Sequence, residues 1–120
     1  MNLNDLIVEI LKSYVSENPE YADIYLDQIN GIVRFDNEIN GYGAYSNFTL
    51  KHDCLRFNGA SGNSYGNNGY YVIMEGRKYE LGFILAITDG LIEHLEIYPN
   101  DGKNWDGVVR PFHLSKSPPA

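Results

Sequence analysis

The sequence predicts an α+β domain, with two N-terminal helices packed on one face of a mostly antiparallel sheet of five or six strands. Three observations predict it. Residues 1–30 repeat apolar side chains at three- and four-residue steps. Residues 31–98 switch to β-branched, partly alternating runs punctuated by glycine turns. No helical stretch lies between the later strands, as parallel pairing would require. At 120 residues the chain is one domain, large enough for a core without disulfides or metal. Its expected organisation is helical over 1–30, sheet over 31–98, and a tail over 99–120 anchored by Trp105.

The first helix follows from Leu3, Leu6, Ile7, Ile10, Leu11, Tyr14 and Val15, which fall on one stripe. Asn2 is the expected N-cap, and Asp5 lies where the helix dipole favours negative charge. Asn18-Pro19 reads as the start of the second helix, with a capping residue before proline at the first helical position. Tyr21, Ala22, Tyr25, Leu26 and Ile29 supply its apolar face, and Asn30-Gly31 stops it.

From Gly31 a hairpin is expected, with GIVRFDNEI and AYSNFTL joined by Asn40-Gly41-Tyr42-Gly43. Leu55-Arg56-Phe57 reads as a short strand. Asn58–Gly69, glycine-rich and poor in apolar residues, reads as a mobile loop, and its spacing does not match a phosphate-binding loop. Tyr70–Met74 is the next strand, and Glu75-Gly76-Arg77 its turn.

The most sharply specified stretch is Gly82–Tyr98, GFILAITDGLIEHLEIY. Asp89-Gly90 between two apolar runs specifies a type I′ hairpin, whose two central residues both need positive φ. Regular pairing then sets Thr88 opposite Leu91, Ile87 opposite Ile92, Leu85 opposite His94, Ile84 opposite Leu95 and Phe83 opposite Glu96. Alternation collects Ile84, Ala86, Leu91, Leu95 and Ile97 on one face, with Glu93 at its margin. The other face collects Phe83, Leu85, Ile87, Ile92 and Tyr98, interrupted by His94 and Glu96. The first of these strands is apolar on both faces and belongs in the middle of the sheet. Trp105 covers an edge of the core, and SKSPPA is a frayed end.

The net charge of −7 is uneven. Residues 1–38 hold eight acids against Lys12 and Arg34, a balance of −6, whereas residues 39–120 hold eight acids and seven bases. Such a field repels nucleic acid and membrane phosphate and speeds encounter with a basic protein. On a helix surface, Glu20, Asp23 and Asp27 are its natural carriers. The same pattern also describes a solvated surface that keeps a protein soluble. The N-terminus lacks a basic n-region and reads as a helix, not a secretory signal. The single cysteine, Cys54, reads as a small buried hydrophobe and fits a reducing cytoplasm.

His52, His94 and His113 show no metal-ligand spacing, so neither metal nor cofactor is expected. His94 and Glu96 share a strand face while Glu93 is expected on the other, so the two glutamates do not make an acid–base pair. His94 with Glu96 reads as a polar patch or partner contact before it reads as a catalytic dyad. Arg34 is expected to pair with Glu38 or Glu96. Tyr42, Tyr45, Tyr65, Tyr70 and Tyr71 lie in or beside glycine-rich segments, where core packing does not account for all of them. Tyrosine is enriched at protein interfaces.

Two stretches together carry a resemblance. Arg34-Phe35-x-x-Glu38-x-x-Gly41-Tyr42-Gly43-Ala44-Tyr45-x-x-Phe48 is similar to an arginine-bearing strand, glycine turn and second strand. That pattern occurs in a group of small bacterial proteins found near polymorphic and contact-dependent toxin systems. Gly82–Tyr98 plus the acidic, tryptophan-bearing turn Asp101–Asp106 resembles the later signature of the same group. The match spans about residues 20–106, and it departs at Asn40, where threonine is common, and after Trp105, where no proline follows. The resemblance implies a non-catalytic cytoplasmic immunity protein that neutralises a cognate toxin, and the acidic balance points to a basic toxin domain. Glu20, Asp23, Asp27, Arg34, Tyr42, Tyr45, His94 and Glu96 are the candidate partner-binding residues. The alternative is a small hydrolase or ligand-binding domain using a cleft near His94 and Glu96.

Overall fold

The computed structural model describes residues 1–116; Ser117–Ala120, most of the segment expected to fray, lie outside them. Helix α1 spans Leu3–Glu17. Asn2 caps it reciprocally: its side-chain oxygen accepts from the Asp5 N–H at 3.0 Å, and the Asp5 carboxylate accepts from the Asn2 N–H at 2.9 Å. The expected stripe is buried at Leu6, Ile7, Ile10, Leu11 and Tyr14. The second helix starts later than Asn18-Pro19 suggests. The Asn18 side chain donates instead to the Tyr14 carbonyl at 2.9 Å, closing α1, so it caps nothing downstream. A single 3-10 turn, Pro19–Tyr21, intervenes before α2, Ala22–Asn30. Tyr25 and Ile29 face the core as expected, but Leu26 is 40% exposed and Gln28 is wholly buried.

The sheet has seven strands: β1 (Ile32–Ile39), β2 (Ala44–Leu50), β3 (Ser64–Gly66), β4 (Tyr71–Met74), β5 (Leu81–Thr88), β6 (Leu91–Pro99) and β7 (Phe112–Ser115). They run antiparallel in the order β1-β2-β6-β5-β4-β7, with β3 pairing on β5 beside β4. Both helices cover one face. Their stripes join Phe83, Leu85, Ile87, Ile92, Leu95 and Ile97 in one core, and the Tyr14 ring meets Phe83 edge-on at 6.0 Å. The double-sided apolar strand β5 is central, as expected.

The β5–β6 hairpin corrects the expected register. Asp89 and Gly90 take φ of 51° and 78°, and Thr88 and Ile87 face Leu91 and Ile92 as a two-residue turn requires. Beyond Ile87 the ladder shifts by one residue. Ala86 then faces His94, Leu85 faces Leu95, Ile84 faces Glu96 and Phe83 faces Ile97. Glu93 is the extra residue of a β-bulge. In unbroken pairing, the face carrying Phe83, Leu85, Ile87 and Ile92 would also bury His94 and Glu96 under the helices. The bulge replaces them with Leu95 and Ile97, so six apolar side chains now share the core face and the polar pair is turned outward.

Gln28 locks this arrangement. The β2–β6 ladder ends at Asn47–His94, which leaves the Ile92 N–H without a strand partner. Gln28 Oε1 accepts from it at 2.8 Å, while Gln28 Nε2 donates to the carbonyls of Gly90 at 2.8 Å and Leu55 at 2.7 Å. Asp27 adds an acceptor for the Leu55 N–H at 2.7 Å. Leu55-Arg56-Phe57 is therefore not a strand. It wraps the turn, with the Phe57 N–H on the Gly90 carbonyl and Arg56 on the Asp89 carbonyl. A Cβ at Gly90 would stand 2.6 Å from the Phe57 carbonyl oxygen, a second reason for glycine there.

The glycine-rich segment is not a loose loop. Gly59–Gly62 forms a 3-10 turn, and β3 pairs Ser64, Tyr65 and Gly66 with Ile87, Ala86 and Leu85. From α1, the Tyr14 hydroxyl donates to the Gly66 carbonyl at 2.8 Å, and the Ser13 hydroxyl accepts from the Asn68 amide at 2.7 Å. The described part of the tail, residues 99–116, is likewise ordered. Trp105 is 1% exposed and its N–H groups donate to Tyr42 and Val108 carbonyls, as an anchor should. Arg77 reaches Asp101 at 3.1 Å, and Phe112–Ser115 adds a seventh strand against β4 where only tail was expected.

Gln28→Leu keeps roughly the volume and removes the buried amide, leaving the Ile92 N–H and two carbonyls unpaired. Unfolding free energy is expected to fall by about 2–4 kcal/mol, read as a lower urea midpoint with unchanged slope. An unchanged midpoint would show that the turn holds without this clamp.

Candidate functional site

The face opposite the helices is built row by row from the ladder. Tyr65, Ala86, His94, Asn47 and Asp36 form one row across β3, β5, β6, β2 and β1. Ile84, Glu96, Tyr45 and Glu38 form the next. Beyond these, Tyr98 lies over Gly82, where any Cβ would stand 2.7 Å from the phenol ring. Tyr71, on β4, alternates with the core residue Val72 and so shares this face.

Side-chain size shapes the surface. Ala86 separates two aromatic neighbours and is too short to fill the space between them, so the Tyr65 and His94 rings meet edge-on above it at 6.4 Å. Tyr45, diagonal to His94, stacks on it with centroids 4.9 Å apart and planes 26° apart. Beside Tyr65 and His94 opens a cleft of about 460 Å³ lined by Asn63, Ser64, Tyr65, Ala86, Ile87, Thr88, Glu93 and His94. The bulge brings Glu93 to the same cleft as His94, against the expected separation, and the Thr88 hydroxyl donates to its carboxylate. A second cleft of about 350 Å³ lies between the end of α1 and β3.

The candidate residues fall on two surfaces. Arg34, Tyr45, His94 and Glu96 share the open sheet face, and Tyr42 sits at its margin in the β1–β2 turn. Glu20, Asp23 and Asp27 belong to the helical layer on the opposite side, and Asp27 is engaged by the Leu55 N–H. Arg34 pairs with Asp36 at 2.8 Å rather than with Glu38 or Glu96. Among the described residues, Glu38, Glu93 and Glu96 have no cationic partner. Tyr98, Glu38 and Glu93 belong to the surface without having been singled out as contacts, and Tyr65, marked only as a tyrosine that core packing does not explain, joins them. The three-residue step from Ile92 to Leu95 was the signal for a bulge, and it would have brought Glu93 across.

Electrostatics follow from this crowding. Burial raises the Tyr45 phenol above its ordinary value, and the Glu93 and Glu96 carboxylates raise it further. Tyr98 is raised by burial and then by Glu96, with Tyr71, Tyr42 and Tyr65 contributing. Burial also raises Tyr14 and Tyr25 in the core. Cys54 is a free, buried thiol, raised chiefly by burial. No group of three or more His, Cys, Asp or Glu side chains among the described residues is placed to hold a metal ion. Among them, too, no helix is long and apolar enough to cross a membrane.

Comparison of the chain with family models, with curated proteins and with solved structures found no match.

Raised tyrosine pKa values fix the sign of alkaline behaviour. The unfolded chain loses these protons first, near pH ~10, so the stability they contribute is intact below that pH and falls as pH rises further. Urea midpoints should be flat to about pH 9 and decline above ~10. In Glu93→Gln/Glu96→Gln the Tyr45 ionisation should move part of the way back, since burial is the larger cause. A spectrophotometric titration with Tyr45→Phe as reference reads it, and no movement would place these carboxylates out of reach of Tyr45.

Proposed function

We propose that this chain is a non-catalytic cytoplasmic binding protein, an immunity protein that neutralises a basic toxin domain. One observation carries the binding role: the sheet face opposite the helices, left uncovered by the described residues, concentrates Tyr45, Tyr65, Tyr71, Tyr98 and His94 among carboxylates that have no cationic partner there. Soluble domains rarely display clustered aromatics without a use for them, and tyrosine offers amphipathic contact area at little entropic cost. Glu38, Glu93 and Glu96 make the patch acidic, which suits a basic partner. The resemblance of Arg34–Phe48 and Gly82–Tyr98 to immunity proteins of toxin systems supplies the class of partner. The acids at Glu20 and Asp23 lie on the other side of the molecule and act on the approach of that partner, not in the contact.

The test is co-expression with a toxin domain encoded beside this chain's gene, followed by titration of the purified pair. Wild type should protect the cell and bind, and His94→Ala or Glu96→Ala should weaken the complex by about 1–3 kcal/mol where the contact is buried, with circular dichroism unchanged. Glu20→Lys/Asp23→Lys should slow association at low salt only, since screening acts over about 10 Å at 0.1 M. Absence of protection and of a complex would overturn the immunity reading. Wild-type affinity in both alanine variants would remove the sheet face from the interface.

A further inference from the structure

The cleft beside His94 has the makings of a receptor for one kind of side chain. Its floor is Ala86, with the strand backbone at Ile87 beside it. Its walls are the Tyr65 ring, on a residue 66% exposed, and the His94 ring, backed by the stacked Tyr45. At its mouth stands the Glu93 carboxylate, one oxygen of which accepts from Thr88 while the other has no partner among the described residues. Glu96 and Glu38 stand in the adjacent row beside Tyr45. Among the described residues none of the three carboxylates has a cationic partner, while Arg34 on the same face is held by Asp36.

We propose that this cleft receives an arginine side chain projecting from the partner protein, a conclusion that rests on the chain being a partner-binding protein and names the chemistry of that contact. The methylene stem lies along Ala86, as long cationic side chains do on apolar surface. The guanidinium plane lies against the aromatic walls, where the ring faces attract a cation. Its edge donates to Glu93, with Glu96 adding longer-range attraction. The flat walls select arginine over lysine: a guanidinium covers an aromatic face and presents a fork of donors to a carboxylate, whereas an ammonium does neither. The unbalanced negative charge of the patch is what the incoming cation completes. Buried aromatic and arginine anchors are also the residues that dominate protein interfaces.

Both a single-residue probe and the whole partner test the proposal. Acetyl-arginine-methylamide, added at millimolar concentration to the full chain, should shift the ring signals of Tyr65, His94 and Tyr45 in a salt-sensitive manner. The citrulline analogue, similar in shape and uncharged, should leave them in place, and the lysine analogue should bind at least fivefold more weakly. Glu93→Gln preserves an acceptor for Thr88, and Tyr65→Ala alters a largely exposed ring, so both variants should fold. Each should weaken the arginine probe at least fivefold and the toxin-domain complex at least tenfold. Equal shifts from arginine and citrulline, shifts confined to other residues, or no shift at all would overturn the site. A toxin complex of wild-type strength in both variants would overturn it as well while leaving the partner-binding role intact. Arginine binding in a chain that forms no toxin complex would instead count against the immunity reading alone.

Discussion

Between Ile92 and Leu95 the chain has to carry Glu93 and His94 past a core that accommodates neither, and a regular strand gives it no means of doing so. Side chains alternate with a period of two, so Ile92 and Leu95 cannot both face the helices unless one residue drops out of the ladder. Glu93 drops out. Everything downstream depends on that shift. Leu95 and Ile97 join the buried row, Glu96 and Tyr98 turn outward, and β2 pairs on β6 in the register that sets Tyr45 opposite Glu96. Without it, a histidine and a glutamate would be desolvated beneath α1, at a cost no hydrogen bond in that apolar layer would offset.

A bulge weakens the ladder locally, and the molecule compensates from a distance. Gln28 is far away in sequence, yet its amide takes up the Ile92 N–H just before the shift and the Gly90 carbonyl within the turn. This buried polar group is fully used, the condition under which such a group specifies one structure rather than destabilising it. It also joins α2, the 51–62 segment and the hairpin into one unit. The aromatic cleft on the far face therefore inherits its geometry from a helix it never touches.

The parts of the fold that were legible in the sequence rest on local chemistry. Asp89-Gly90 announced its turn because positive φ excludes almost every other pair, and Asn2 with Asp5 announced a helix start. Trp105 announced an anchor because so large a side chain is seldom left in water. The parts that were not legible rest on tertiary pairing. β3 has almost no apolar content, and it is a strand because β5 offers a free edge and Tyr14 and Ser13 hold the segment against it. β7 is a strand because the Arg77–Asp101 pair and Trp105 return the chain to β4. The aromatic cluster was half visible: its tyrosines stood out by number, but their convergence on His94 needs the bulge, and a strictly alternating template hides it.

The two acidic regions differ in kind, and the sheet between them explains why. On the helical layer, Glu20 and Asp23 are exposed to water, so their effect acts over distance and fades with salt. On the open face, Glu93 and Glu96 stand close enough to Tyr45 to add to the rise that burial gives its phenol. The core does not require glutamates here, since the bulge has already moved both to the outside. Their place beside an aromatic cleft, with no cationic partner among the described residues, is what the proposed basic partner would complete.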